Sequence, residues 1–330
     1  MFRSLLQSNS YFIIEYMEHS RRDFLKKATA TGAAILVAPA VFGTDTFSKR
    51  QKAVDATTPF KLKYAPGIGM FHEHAGNDII DNIKFCYDMG FRAMFDNGLM
   101  GRPVDDQVKI ANEMHRLGME LGPYVLYADF SVTSFVLNKP EIREMLAKKM
   151  KEGVEVAGRT GVKWALVVPG RYDEKLHKDF QTANVIDNLR YCCDVMEPAG
   201  LTIVLEPLNT LHDHQGLFLN GIPQAYSICR AVNRPVCKIV DDIYHQQITE
   251  GNLIPNIEAA WSEIAAFHLG DTPGRNEPGT GEINFKNLFK YIYSRKYEGV
   301  LCMEHGISIK GKEGEDRVIR AYRECDSFEI

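Results

Sequence analysis

The sequence predicts an α/β protein built as a single (β/α)8 barrel, and three observations carry that expectation. From Phe60 onward short apolar runs alternate with longer amphipathic ones, eight such β-then-α units follow one another, and no Ser-, Pro- or Gly-rich linker interrupts them. A (β/α)8 barrel typically occupies about 250 residues, which fits the length available after the N-terminal segment. The strand candidates are KLKYAPG (61–67), FRAMFDN (91–97), MELGPYVLY (119–127), VKWALVVP (162–169), LTIVLEP (201–207), VCKIVDD (236–242), IAAFHLG (264–270) and GVLCMEHG (299–306). In LTIVL the β-branched and apolar character suits a strand buried on both faces. A doubly wound open sheet is the competing architecture. It calls for a Gly-rich fingerprint after the first strand, where this chain reads PGIGMFHEH.

Between the strands lie helix candidates such as NDIIDNIKFCYDMG, DDQVKIANEMHRLG and PEIREMLAKKMKEGVEVAGRTG, which open near Asp, Asn or Pro and close on Gly. In the third, Ile142, Met145, Leu146, Met150, Val154 and Ala157 form one apolar stripe. The 330 residues carry a net charge of −4 and no Lys/Arg run of the size that phosphate contacts need, which argues against a nucleic-acid partner. A small polar or anionic ligand fits that balance.

The N-terminal segment is expected to stand apart, giving residues 1–58 as a signal region and linker and 59–330 as the catalytic barrel. SRRDFLKKATATGAAILVAPAVFG places Arg21 and Arg22 before Phe24, Leu25 and Lys26, then a mild apolar run, then Ala38-Pro39-Ala40. This is the pattern of a twin-arginine export signal. It implies the twin-arginine export machinery as a partner and a periplasmic location. Met17, four residues before the arginine pair, is where such a signal normally begins. The run from Thr29 to Val41 is too short to span a membrane, and no cysteine follows it to take a lipid, so no stable membrane anchor is expected. Seven cysteines lack CxxC spacing. Cys192 and Cys193 sit at helical spacing with Val185, Leu189 and Met196, which reads as core packing without an essential disulfide.

In a barrel the βα loops open on one face, so active-site groups stand at the C-terminal ends of strands. Glu206 ends the fifth strand, Asp241 and Asp242 end the sixth, His268 lies near the end of the seventh and Glu304 near the end of the eighth. Three carboxylates crowded at one mouth repel one another unless a cation holds them. Oxygen ligands with one imidazole suit Mn, Mg, Co or Zn. Alternate strand residues face opposite sides, so only one aspartate reaches the mouth, and the spacing Asp242-Ile243-Tyr244-His245 selects Asp242.

The segments LEPLNT, DIYHQQ, HLGDTPGRNEPGTGEINF and CMEHG resemble the hydroxypyruvate isomerase-like branch of the xylose isomerase-like sugar isomerase/epimerase barrels, from about Phe60 to about Glu315. The resemblance implies one divalent metal ion held by Glu206, Asp242, His268 and Glu304, with Glu206 and Glu304 also the acid/base pair. It implies substrate contacts from His245 and Arg275. His74, which follows the first strand, is expected to line the mouth with them. Hydroxypyruvate isomerases proper commonly carry Gln where this chain has His268, as ketose epimerases of the superfamily do. That departure points away from hydroxypyruvate itself.

The chemistry so implied is proton transfer between adjacent carbons of a small hydroxy-carbonyl or sugar substrate through an enediolate. An epimerase or a lyase acting on a keto sugar would begin from the same intermediate and stays open. An apurinic-site endonuclease on the same barrel would need more His and carboxylate ligands at earlier strand ends, where only Asp96 stands, and a basic face. A non-catalytic exported sugar-binding barrel is the remaining rival, against which the full ligand set counts. A homo-oligomer stays open.

Export generates a first prediction. Replacing Arg21 and Arg22 together by Lys is expected to leave the protein folded and soluble in the cytoplasm. Cell fractionation checks this, and an equal periplasmic yield of both forms would refute export.

Overall fold

The structure is a computed structural model that describes residues 57–330, and the expected export signal lies outside the described residues. The strands are β1 (Lys63–Pro66), β2 (Ala93–Met94), β3 (Glu120–Leu121), β4 (Tyr124–Ala128), β5 (Trp164–Val168), β6 (Thr202–Leu205), β7 (Cys237–Asp242), β8 (Ile264–His268) and β9 (Val300–Met303). Seven run side by side in the order β1-β9-β8-β7-β6-β5-β4, and β2 pairs with β3. Every pairing is parallel. A bridge from Gly67 to Phe95 joins the ends of β1 and β2. The ring then closes through the chain itself, because β3 and β4 are two halves of the predicted third strand. They part at Gly122-Pro123, where proline has no N–H to give to a ladder. The barrel therefore has the eight expected staves.

The helices are α1 (His72–Ala75), α2 (Ile79–Asp88), α3 (Val104–Arg116), α4 (Pro140–Thr160), α5 (Lys178–Met196), α6 (Ile222–Val232), α7 (Ile243–Thr249), α8 (Leu253–Ala260), α9 (Phe285–Ser294) and α10 (Gly311–Asp326). Their ends follow local chemistry. Asp78 caps α2 by accepting from the backbone of Ile80 and Asp81, and α4 starts at Pro140 and stops at Gly161 with φ of 68°. The stripe predicted on α4 is centred slightly differently: Leu146, Met150, Gly153, Val156 and Thr160 are its buried residues. Gly153 belongs there because a Cβ would meet the Leu126 side chain at 2.7 Å, so its absence lets α4 lie close on β4. No helix among the described residues is long and apolar enough to cross a membrane. All seven cysteines are free, and Cys192 and Cys193 are buried in the core as expected.

Two apolar layers share the strands. The larger lies between barrel and helices, and includes Tyr64, Ile203, Leu205, Ile239, Phe267, Leu301 and Met303. The smaller fills the barrel, with Ala65, Phe95, Leu166, Val204, Val240, Ala266 and Cys302 among its members. Side chains alternate along a strand, so the residue two positions beyond an interior one points to the same side. Val204 thus leads to Glu206, Val240 to Asp242, Ala266 to His268, Cys302 to Glu304, and Phe95 to Asn97. The barrel filling and the polar mouth are one continuous pattern.

At the other end of the barrel Glu120 is clamped by Lys63 at 2.8 Å and Lys163 at 2.5 Å. Burial alone would raise the Glu120 carboxyl, but hydrogen bonds from the two ammoniums outweigh it and leave the group below its usual value. A carboxyl depressed in the folded state stabilises the fold above its unfolded pKa of about 4.3, and that contribution is lost as pH falls through the folded value. Glu120→Gln is expected to lower stability at pH 7 by on the order of 1 kcal/mol or less, since both lysines are partly exposed. Urea melts at pH 7 and at pH 3 check this. The difference between the two proteins should shrink at the lower pH and should be reduced by salt.

Candidate metal centre and active site

Glu206, Asp242, His268 and Glu304 each offer a ligand atom, and these atoms all lie within 4.8 Å of one another. The four side chains come from the ends of consecutive staves, β6, β7, β8 and β9, with Asp242 and His268 directly paired in register. His268 is fully buried, and its Nδ1 stands 3.0 Å from Glu206 Oε1 and 3.0 Å from Glu304 Oε2. Asp242 Oδ1 caps α7 by accepting from the backbone of Tyr244 at 2.8 Å and His245 at 3.3 Å. That bond aims Oδ2 at the cluster. Here Oδ2 accepts from the Arg275 guanidinium at 2.9 Å, and the same nitrogen donates to Glu304 Oε2 at 2.8 Å.

The electrostatics show how such a cluster survives. Burial, and then the Glu304 carboxylate, push the Glu206 carboxyl up to about 7. Burial would also raise Glu304, but the His268 imidazolium and Arg275 outweigh it and hold the carboxyl well below the usual range. His268 goes the other way: burial opposes its charge, and the neighbouring Glu304 and Glu206 raise it well above an ordinary imidazole. The upward shifts of Glu206 and His268, together with Arg275 paired to Asp242 and Glu304, all act to offset three crowded carboxylates.

A divalent cation would supply the same compensation. The nitrogen-to-oxygen distances of 3.0 Å at His268 are about the spacing that ligands share around an ion with bonds of roughly 2.1 Å. Three carboxylates and one imidazole are a donor set for Mg, Mn, Co or Zn. The residues therefore fit a divalent ion, which Glu206, Asp242, His268 and Glu304 would hold.

The two aspartates at the end of β7 face opposite sides. Asp242 joins the cluster, while Asp241 is buried with neither oxygen partnered. Burial, then Glu250, push the Asp241 carboxyl well up. His245 is 1% exposed and its Nε2 lies 3.6 Å from Asp242 Oδ2. Burial lowers its pKa. Arg275 sits on a loop that its own carboxylates shape. Asp271 accepts from the backbone N–H of Thr272, Gly279, Gly281 and Ile283 at 2.8 to 3.1 Å. Gly281 is required there, since a Cβ would fall 1.9 Å from the Thr272 carbonyl oxygen. The acids of the same loop are engaged elsewhere: Glu277 pairs with Arg317 at 3.0 Å and Glu282 with Gln247 at 3.1 Å.

His74 departs from expectation. Its Nδ1 lies 2.6 Å from Glu315 and its Nε2 3.3 Å from Asp316, both on α10, and the ring stacks on Phe85. These contacts tie the loop after β1 to the last helix, and none of them is with a cluster residue. The cause is local: His72–Ala75 coils into α1, and the His74 side chain meets α10.

Sequence reasoning passed over Asn97, whose Nδ2 donates to Glu304 Oε1. It follows the second strand, and the strand-end rule could have found it, but an amide carries no charge to draw attention. Asp96 beside it is engaged by Arg102. Also unforeseen is a line of rings leading outward from Asp242: His245 to His214 at 5.2 Å and His214 to Phe130 at 4.9 Å, with Phe130 46% exposed.

The cluster predicts about one divalent ion per chain. His268→Ala is expected to weaken Mn or Zn binding by on the order of 10- to 100-fold or more. Calorimetric titration checks this, and an unchanged affinity would refute the ligand set.

Comparison with known proteins agrees with this geometry. Residues 83–325 match the family described as xylose isomerase-like TIM barrel. Over 188 residues the chain is 32% identical to a putative hydroxypyruvate isomerase of Xenopus laevis, covering 54% of this chain and 67% of that protein. Over 137 residues it is 36% identical to the hydroxypyruvate isomerase of Escherichia coli K12, covering 41% and 50%. The aligned part thus spans between half and two thirds of these curated relatives. Among solved structures, a 3-keto-D-glucoside 4-epimerase of Escherichia coli superposes with a TM-score of 0.65 at 20% identity, covering 81% of this chain and 100% of that one. At that identity the likeness is one of fold. With most of the barrel matched in sequence and all eight staves in place, the chain belongs to the xylose isomerase-like TIM-barrel family.

Proposed function

We propose that the protein is a divalent-metal-dependent isomerase or epimerase that moves a proton between adjacent carbons of a small hydroxy-carbonyl or sugar substrate. One observation carries the reading: Glu206 and Glu304 end the outer two of four consecutive staves, and both reach the nitrogen of His268 that lies between them. Two carboxylates so placed flank any substrate bound at the cluster, one to take the α-proton and the other to return it. A divalent ion held by Glu206, Asp242, His268 and Glu304 would supply Lewis-acid stabilisation of negative charge developing on substrate oxygens.

The remaining parts fall to side chains already in position. Arg275 has an Nε–H that is buried without a partner, in addition to the nitrogen that bridges Asp242 and Glu304, so it can orient a substrate hydroxyl or carboxylate. His245 faces the same space. Asn97 holds Glu304 Oε1 while His268 and Arg275 meet Oε2, so the carboxylate is fixed in direction. The relatives named as hydroxypyruvate isomerases support a short hydroxy-carbonyl substrate. A second reading, a longer keto sugar handled by an epimerase or lyase, is favoured by the rings of His245, His214 and Phe130, which run in contact from Asp242 to the exposed surface. Export by way of Arg21 and Arg22 is part of the same proposal.

Solvent deuterium wash-in, run on the metal-loaded protein over a panel of hydroxy-aldehydes, ketoses and keto sugars, tests the reading. Exchange reports enolisation whatever the net reaction. Glu206→Gln keeps the shape of the side chain but cannot take up a proton, and is expected to reduce exchange by about 10²- to 10⁴-fold; Glu304→Gln should do the same. A metal-loaded Glu206→Gln protein that exchanges at the wild-type rate would remove Glu206 from the chemistry. A wild-type protein that binds sugars but exchanges none would favour a binding protein.

A further inference from the structure

We infer that Asn209 fixes His245 in the tautomer that carries its proton on Nε2, so that His245 presents a neutral N–H donor to an oxygen atom of the substrate beside Asp242. The identity of that acceptor rests on the function proposed above; the tautomer does not.

The assignment follows from donors that have no freedom to reverse. The backbone N–H of Asn209 lies 3.3 Å from His245 Nδ1, and a backbone amide can only donate. The Asn209 side chain is oriented just as firmly. Its Oδ1 accepts from the backbone N–H of His212 at 3.1 Å and of Asp213 at 3.2 Å. Its Nδ2 donates to Asp213 Oδ2 at 2.8 Å and lies 2.7 Å from His245 Nδ1. Turning the amide over would set Oδ1 against the Asp213 carboxylate and the NH2 group against two backbone donors. Every one of those contacts would become repulsive.

Nδ1 of His245 therefore faces donors only and must offer its lone pair. The ring proton is left on Nε2. That nitrogen is buried and has no hydrogen-bond partner, and Asp242 Oδ2 at 3.6 Å is too far to accept from it. A buried donor left unpaired costs free energy that a ligand recovers by supplying an acceptor. A carbonyl, hydroxyl or alkoxide oxygen meets that need. An ammonium at the same position would set donor against donor, so the pair selects oxygen-bearing substrates over their amino counterparts. Asn209 touches no reacting atom on this account and is a positioning residue. Its anchor is Asp213, whose charge keeps the amide turned the right way.

The tautomer can be read directly. Full-length protein labelled with ¹⁵N at histidine and loaded with the diamagnetic ion Zn or Mg gives long-range ¹H–¹⁵N correlations, and the spectrum of His245→Gln assigns the ring. The wild type is expected to show Nδ1 unprotonated and Nε2 protonated; a proton on Nδ1 would overturn the inference, and this measurement needs no variant to fold. In Asn209→Ala the backbone N–H stays, so Nε2 should keep most of the proton, while loss of the side-chain donor at 2.7 Å should admit a minor population protonated on Nδ1. With any substrate found in the wash-in panel, KM should rise roughly 3- to 10-fold, the worth of one hydrogen bond, while kcat changes less. A variant with the wild-type tautomer and KM would show that the Asn209 side chain plays no such part. If no panel compound exchanges, the proposed reaction fails, and the spectra still decide the tautomer.

Discussion

Three carboxylates within reach of one another at the mouth of a barrel are the constraint around which this molecule is arranged. Placed in a partly water-excluded site, they repel unless positive charge is brought to them. Arg275 meets part of the demand by pairing with Asp242 and Glu304, and the upward shifts of Glu206 and His268 run in the same direction. A divalent ion answers the same demand, and the donor set suits one. The cluster is costly to the fold without a cation, and a site that needs a cation is one that can polarise a substrate oxygen.

Much of the surrounding structure serves to hold that arrangement. Asp242 is both a cluster residue and the cap of α7, so the strand end and helix start are welded at that residue. The loop that delivers Arg275 is wound around the buried carboxylate of Asp271 and tied by Glu277 to Ser308 and Arg317. Outside the ring Tyr64 of the first strand packs on Phe289 and Tyr322 and donates to Asp326. First strand and last helix are thereby joined, and the staves keep the spacing on which the cluster depends. Rigid placement of this kind is what proton transfer to and from carbon requires, because small displacements cost large factors in rate.

The sequence by itself determined a good deal. Eight alternations of short apolar and longer amphipathic runs were enough for the barrel, since both periods are local properties of the chain. The four cluster residues were legible too. Once strand ends are known to share one face, Glu206, His268 and Glu304 follow from position; pleat alternation admits only one of Asp241 and Asp242, and the spacing to His245 selects Asp242. Each of those steps uses only neighbours along the chain.

Contacts between distant loops were decided by the tertiary structure alone. Asn97 reaches Glu304, more than two hundred positions away, only because the ring brings the second stave round to the eighth. His74 looked free to line the mouth, yet Glu315 and Asp316 on the closing helix take it, and no local pattern shows which helix will lie beside a loop. Arg275 could have paired within its own loop; the folded backbone sends Glu277 to Arg317 and leaves the guanidinium to Asp242 and Glu304. The direction of His245 depends on an asparagine from another stave. Hydrogen-bond direction is a property of three-dimensional neighbours, so which nitrogen carries the proton became readable only when the barrel had closed.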